Sequence, residues 1–305
     1  MYETDIKSYP LVDDNNKINQ NWYQNYGGSS EDINEIIKCD KNNDSLTFKM
    51  CYWQSAYWYS GNLSFKEPLG FGEYSIYMRP SGGGQVLSTF YLSKPPINPG
   101  TPDPGFDDGD KEIDFEISTW PAPMNGNHYL VLPTTNIWRE KRQNLDNNTK
   151  KEDNSGNCKP SSQFNHAIPL DYSVTPEPSN NYQGSLKFTI GWWADLIIWT
   201  ITDQNKIVYK RVLDISKRSD KVTYYDNSSK NLSTNFSDIS TQYNDPKSMV
   251  IYLSLTSFPN NINWLNCQNF NTITGNSQFN CKTNPTNGFG TIYYGPFTFS
   301  PTPRP

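Results

Sequence analysis

Residues 111–118, KEIDFEIS, set Glu112, Asp114 and Glu116 at every second position, alternating with Ile113, Phe115 and Ile117. Successive side chains of a β-strand point to opposite faces. A strand here therefore carries three acids on one face and three bulky apolar groups on the other. The apolar face reads as core. The acidic face needs a reason, because like charges side by side repel. One reading is a solvated surface strand. A second is a structural calcium site, helped by Asp103, Asp107, Asp108 and Asp110 just upstream, since hard cations take several carboxylate oxygens. Strand alternation, however, aims the acids straight outwards instead of wrapping them round an ion. A third is glycoside hydrolysis, which needs one carboxylate as nucleophile and one carboxylic acid as proton donor.

The spacing suits the third reading. Same-face Cα atoms on a strand lie ~6.7 Å apart, and Glu112 and Glu116 are two such steps apart. Flexible side chains leaning inwards on a twisted, concave sheet would bring their carboxyl groups towards the ~5–5.5 Å of a retaining glycosidase. Three crowded acids cannot all ionise together, so at least one keeps its proton near neutral pH. One Glu then stays anionic for attack while the other remains an acid, with the shorter Asp114 between them.

Such a strand needs a sheet around it. Short alternating or apolar runs, bounded by Gly, Pro, Asn and Asp, predict strands over 45–52, 73–79, 85–92, 111–118, 128–133, 185–192, 195–202, 206–212, 248–255 and 291–299. Nothing reads as a long amphipathic helix; residues 30–39, SEDINEIIKC, predict a turn or two. The Pro-, Gly- and Asp-rich loop 93–110 feeds straight into the acidic strand and is expected to rim the active site. A long polar loop is expected over 140–184. The expectation is one all-β domain over residues 1–299, with SPTPRP (300–305) as a Pro-rich linker stub.

Composition narrows the function classes. The chain has 305 residues and a net charge of -5, which argues against nucleic acid as a partner. No apolar run approaches the ~18 residues of a membrane span. The start, MYETDIKSYP, has no basic end followed by an apolar stretch. The chain is thus either cytosolic or a mature secreted protein whose leader Met1 replaces, and an extracellular location is the one expected. Hydrophobic residues make up only 34%, yet 14% are aromatic, so rings are left over for binding surfaces. His128 and His166, the only histidines, are too far apart in sequence for a triad or metal site to be the default. The five cysteines show no CxxC spacing. The local pairs are Cys39 with Cys51 and Cys267 with Cys281, leaving Cys158. Asn-X-Ser/Thr acceptor triplets begin at Asn43, Asn62, Asn147, Asn227, Asn231 and Asn235, close to chance expectation in so Asn-rich a chain.

KEIDFEIS resembles the active-site strand of glycoside hydrolase family 16, whose signature alternates Glu, Asp and Glu with hydrophobic residues. GFGEYSIYMRPSGGGQVLSTFYLS (70–93) is similar to the family's Gly-aromatic-Gly segment and the two strands after it. FTIGWWADLIIWTITDQNKIVYK (188–210) resembles its paired strands, with six residues between Trp192 and Trp199. Segments around Trp264 and at YYGPFTF also have counterparts, so the resemblance covers roughly residues 60 to 299. It implies a β-jelly-roll sandwich of two antiparallel sheets, concanavalin-like, with a concave substrate face.

By position, the resemblance makes Glu112 the nucleophile, Asp114 the assisting acid and Glu116 the general acid/base. The unbulged E-x-D-x-E spacing is similar to that of lichenases and xyloglucan endotransglycosylases. That implies a β-glucan substrate with 1,4 linkages or mixed 1,3 and 1,4 linkages. Lichenases carry Trp-Asp before the first Glu, where this chain has Asp110-Lys111, so the subsites differ. Trp120, just after the acidic strand, is a candidate sugar-stacking platform, with Trp138, Trp193 and Trp264 as further candidates. His128 is a candidate neighbour of the acids. The expected activity is endo-acting, retaining hydrolysis by a monomer, with a polysaccharide partner and no required cofactor. Alternatives are a cell-wall transglycosylase on the same residues and a carbohydrate-binding protein without turnover.

Overall fold

The computed structural model describes residues 6–24, 37–49, 51–53, 57–59, 61–80, 86–96, 111–119, 128–139, 143–144, 167–169, 186–203, 205–224, 226–234, 236–239, 243–257 and 291–305. Twenty strands run through them: β1 (Lys7–Tyr9), β2 (Trp22–Gln24), β3 (Ile37–Asp40), β4 (Ser45–Lys49), β5 (Cys51–Trp53), β6 (Tyr57–Tyr59), β7 (Asn62–Phe65), β8 (Gly72–Arg79), β9 (Val86–Ser93) and β10 (Lys111–Thr119). The second half adds β11 (His128–Arg139), β12 (Gln143–Asn144), β13 (Ala167–Pro169), β14 (Leu186–Trp193), β15 (Leu196–Asp203), β16 (Lys206–Asp214), β17 (Ser219–Tyr224), β18 (Ser229–Asn231), β19 (Val250–Ser257) and β20 (Thr291–Ser300). Among the described residues the helical content is one 3-10 turn at Lys41–Asn43 and a four-residue helix at Phe236–Ile239.

The strands form two antiparallel sheets. The larger runs β18-β17-β16-β15-β14-β8-β20-β4-β3, with β1 beside β20. The smaller runs β12-β11-β10-β9-β19-β7-β2, with β13 on β11. β5 and β6 pair with each other alone. The order is far from sequential, so neighbours such as β8 and β20 come from opposite ends of the chain. This is the two-layer all-β sandwich that the alternating apolar pattern predicts.

One apolar core fills the space between the sheets. It takes Ile76, Phe188, Ile190, Trp192, Trp199, Ile201 and Tyr294 from the larger sheet, and Phe90, Leu92, Ile113, Phe115, Ile117, Ile251 and Leu253 from the smaller. Full burial of each such side chain contributes about 1.5–3 kcal/mol. Phe115 lies between two rings, stacked on Phe90 at 6.4 Å and edge-on to Phe188 at 5.3 Å. Polar groups also cross the core. The Tyr294 hydroxyl is shared between the carbonyls of Thr89 and Ser254, at 2.6 and 2.8 Å.

Arg211 makes the most demanding crossing. Its side chain is fully buried on β16, under the ring of Trp199, with the guanidinium carbon 4.9 Å from the ring centroid. Nε and Nη2 donate to the two carboxylate oxygens of Asp220 at 3.0 and 2.6 Å, and Nη1 donates to the Pro133 carbonyl on β11. Thr234 adds a hydroxyl donor to Asp220 at 2.5 Å. A planar fork satisfied this fully compensates for much of the cost of removing two charges from water.

Several expectations are corrected. Residues 37–40 are strand, not helix: the β4 ladder supplies backbone partners that a short, weakly helical stretch cannot match. The run expected as one strand over 45–52 is divided between β4 and β5, which pair in different sheets. Cys39 is a free thiol on β3, so the local pair with Cys51 does not form. Burial first, then the charge of Asp13, pushes that thiol up to about 11. Residues 301–305 are not a loose stub: Trp193 Nε1 donates to the Thr302 carbonyl at 3.0 Å, and Arg304 Nε donates to Asp195 at 2.8 Å. Cys158, Cys267 and Cys281 lie outside the described residues.

Asp220→Ala leaves Arg211 buried without its counter-charge and is expected to cost about 3–5 kcal/mol in urea unfolding. The paired replacement Arg211→Met with Asp220→Leu removes both charges and should lose far less than that single change.

Candidate active site

The acidic strand is β10, and it lies inside the smaller sheet between β9 and β11. Its register with β11 runs unbroken from Lys111↔Ile137 to Thr119↔Tyr129, and that with β9 from Glu112↔Ser93 to Ile117↔Ser88. No bulge interrupts it, so strict alternation holds. Ile113, Phe115 and Ile117 enter the core at 0% exposure. Glu112, Asp114 and Glu116 therefore share the face turned away from the core.

That face is not open to solvent at the acids. Glu112 is 6% exposed and Asp114 3%, while Glu116 is half-buried. An outward-facing carboxylate on a plain surface strand stays hydrated, because removing a charge from water is costly. Burial of two of them on the outer face of a sheet means that other groups cover them there. The solvated-strand reading is excluded for Glu112 and Asp114.

The cross-strand rows show which residues share that face. Asp114 is opposite Tyr91 on β9, Tyr91 is opposite Tyr252 on β19, and Tyr252 is opposite Ser64 on β7. Glu116 heads a parallel row of Thr89, Ser254 and Asn62. Residues directly opposite share a face, so these side chains lie on the acids' side. The rings of Tyr91 and Tyr252 stack at 4.9 Å and 14°. The Tyr252 hydroxyl donates to the Lys94 carbonyl at 2.6 Å, and the Tyr91 phenol is hydrogen-bonded to the side chain of Asn62. Burial pushes the Tyr91 phenol well above its ordinary value, and the charges of Glu112 and Asp114 add to the rise. From the core side, the Tyr243 hydroxyl donates to the Glu112 carbonyl at 3.3 Å, and Trp192 Nε1 donates to the Tyr243 carbonyl at 2.9 Å.

The structure separates the other candidates. His128 and Trp138 both lie on β11, the strand next to the acids, and their side chains are outside the described set. Trp120, Trp264 and the loop residues Asp103, Asp107, Asp108 and Asp110 lie outside the described residues altogether. Trp193 is a correction. It sits on β14 of the opposite sheet, 5% exposed, with its ring over Gly191 and its indole N–H on Thr302. A ring committed to the back of the larger sheet cannot reach a ligand at β10. Among the described residues no group of three or more His, Cys, Asp and Glu side chains could hold a metal ion.

Tyr91, Tyr252 and Asn62 were not expected in the site from sequence. Alternation from the core residue Phe90 puts Tyr91 on the outer face, so one signal existed. The pairing of β9 with β19 and of β19 with β7 had none, because those strands are far apart in the chain. Asn62 heads an acceptor triplet, but its side chain is engaged with Tyr91.

The chain is a two-sheet β-sandwich with buried acids on the outer face of one sheet. No protein-family profile matches the sequence, and no curated protein matches it. Among solved structures the chain is similar to the catalytic domain of an endo-1,3-β-glucanase (laminarinase) from Thermotoga petrophila RKU-1. The TM-score is 0.51 at 12% identity, covering 97% of this chain and 98% of that one. It also matches a β-glucanase of Bacillus licheniformis, with TM-score 0.47 and 12% identity over 99% of this chain and 100% of that one. A prokaryotic β-1,3-1,4-glucanase (lichenase) from a mouse hindgut metagenome gives 0.47 and 11% over 97% and 99%. The likeness to the Thermotoga domain shows a shared two-sheet jelly-roll fold. Among the described residues no helix is long and apolar enough to cross a membrane.

Tyr91 also sets a pH dependence. Its phenol ionises near pH 10 in the unfolded chain but stays neutral in the fold. Above pH 10 the unfolded state binds fewer protons, so the stabilising contribution, complete below pH 10, is lost as pH rises. Relative to Tyr91→Phe, the wild-type chain should lose about 1 kcal/mol between pH 10 and 11 in urea unfolding.

Proposed function

We propose that this protein is an endo-acting, retaining glycoside hydrolase that cleaves a β-linked glucan. The observation that carries the reading is the burial of Glu112 and Asp114 on the outer face of an unbulged strand, with Glu116 on the same face. Binding a neutral polysaccharide does not require acids in two protonation states; double displacement does. The ring of Tyr91, partly exposed on the acids' side and backed by the buried ring of Tyr252, offers an apolar surface for a sugar ring to pack against.

In the first step a Glu112 oxygen bonds to the anomeric carbon as the glycosidic C–O bond breaks. Glu116 gives its proton to the leaving oxygen. In the second, water adds to the anomeric carbon, its proton passes to Glu116, and the ester to Glu112 breaks. Two inversions retain configuration. Asp114, between the two, positions Glu112 and shares its proton. The unbroken register of β10 favours a glucan with 1,4 linkages or mixed 1,3 and 1,4 linkages, on the family resemblance of that spacing. Secretion, a monomeric state and independence from any cofactor belong to the same proposal.

The test is to incubate the protein with barley β-glucan, laminarin, xyloglucan and agarose and to size the products. Shorter oligosaccharides are expected, from barley β-glucan foremost. Products longer than a defined oligosaccharide substrate mean transfer to an acceptor sugar, and no cleavage of any of them overturns the reading. Glu112→Gln should abolish turnover. Glu116→Gln should cost about 10²- to 10⁴-fold on polysaccharide and much less on an aryl glycoside, whose leaving group needs no proton.

A further inference from the structure

We propose that Tyr91 is a positioning residue for the Glu112–Asp114 pair: its ring is a water-excluding wall beside the two carboxyl groups, and that wall holds their shared proton to a higher pH. The inference rests on the glycanase reading above and concerns how the same site is tuned.

The geometry carries it. Tyr91 is the cross-strand partner of Asp114 on β9, on the same face and one strand spacing away, ~4.8 Å. Its ring cannot swing aside. One face is stacked on Tyr252, whose hydroxyl is itself tied to the Lys94 carbonyl, and the phenol is bonded to Asn62 two strands further on. A rigid aromatic ring therefore stands where water would otherwise solvate Asp114 and Glu112, which are 3% and 6% exposed. The phenol responds to the charge of both carboxylates, which confirms that the three groups lie within electrostatic reach.

The direction follows from solvation. Excluding water penalises the charged form of a carboxyl group, so the ring delays ionisation of the pair. Other groups among the described residues also lie near the pair. Glu116 on β10 is a further acid and acts in the same sense. Tyr252 on β19 is a phenol with its hydroxyl turned to Lys94. On β11 the opposing register positions are Thr134 and Asn136, neither of them titratable. Tyr243 touches only the backbone carbonyl of Glu112 among the bonds described. Lys111 opens β10 three residues before Asp114 with its side chain on the opposite face, and Lys94 follows β9.

The hydroxyl and the ring can be separated. Tyr91→Thr removes the wall and keeps a strand-forming residue, Tyr91→Gln removes it with a longer polar side chain, and Tyr91→Phe removes only the hydroxyl. The acid limb of kcat/KM reports ionisation of the nucleophile in the free enzyme. It should move down by about 1 pH unit in the Thr and Gln variants and by under about a third of that in the Phe variant. The ¹³C titration of the Glu112 and Asp114 carboxyl carbons, read without substrate, should move by the same amounts. An unmoved titration in whichever of the Thr and Gln variants folds, or an equal shift in the Phe variant, overturns the proposal. If the wild-type chain cleaves no glycan while the carboxyl titration moves as stated, the glycanase reading fails and the role of Tyr91 stands.

Discussion

Two carboxyl groups on the outward face of a sheet are kept almost dry, and the rest of the molecule has to make that tolerable. Charge leaves water only at a cost of several kcal/mol unless protons are shared or bonds replace the lost hydration. A flat exterior would leave these groups wet, alike and without any difference in proton affinity. Along the strand the surroundings differ, with Asp114 in a row with Tyr91 and Tyr252 and Glu116 in a row with Thr89, Ser254 and Asn62. Unequal surroundings are what let chemically similar acids take different parts in one reaction.

Such an arrangement survives only on a stiff backing. Glu112 and Asp114 are held by the alternate residues of the same strand, and those residues are locked into the core. Phe115, between Asp114 and Glu116, is gripped by Phe90 and Phe188 from the two sheets. The carbonyl of Glu112 is held by Tyr243, which is held in turn by Trp192 of the larger sheet. Arg211 reaches through the core from the larger sheet to Pro133, the β11 partner of Phe115. Pro133 has no N–H to give a neighbouring strand, and its carbonyl finds a donor across the sandwich instead. The larger sheet thus takes no direct part in the site but fixes the position of the strand that does.

This division of labour explains which features were legible in the chain. The acidic strand was, because period-two alternation is a local property and the apolar residues between the acids state which face is core. The long central strands of both sheets were legible for the same reason. Short strands such as β1, β2 and β17 were not, since three to six residues carry too little pattern to stand out. Residues 37–39 read locally as the end of a helical turn, and only the partner strand β4 decides otherwise. Trp193 has the composition of a binding aromatic, yet its sheet and its contact with Thr302 make it a packing residue on the back of the molecule. Residue type alone could not separate it from Tyr91.

The sequence by itself determined the strand-rich class, the alternation that puts Glu112, Asp114 and Glu116 on one face, and the apolar set opposite them. These depend on spacing between neighbours in the chain, which backbone geometry converts directly into direction. Tertiary structure alone decided that Asp114 meets Tyr91 and, beyond it, Tyr252, that Glu116 shares a row with Asn62, and that the two inner acids are buried. Those contacts join residues 23 to 161 positions apart. Nothing local specifies which strands become neighbours; the burial of a common core does.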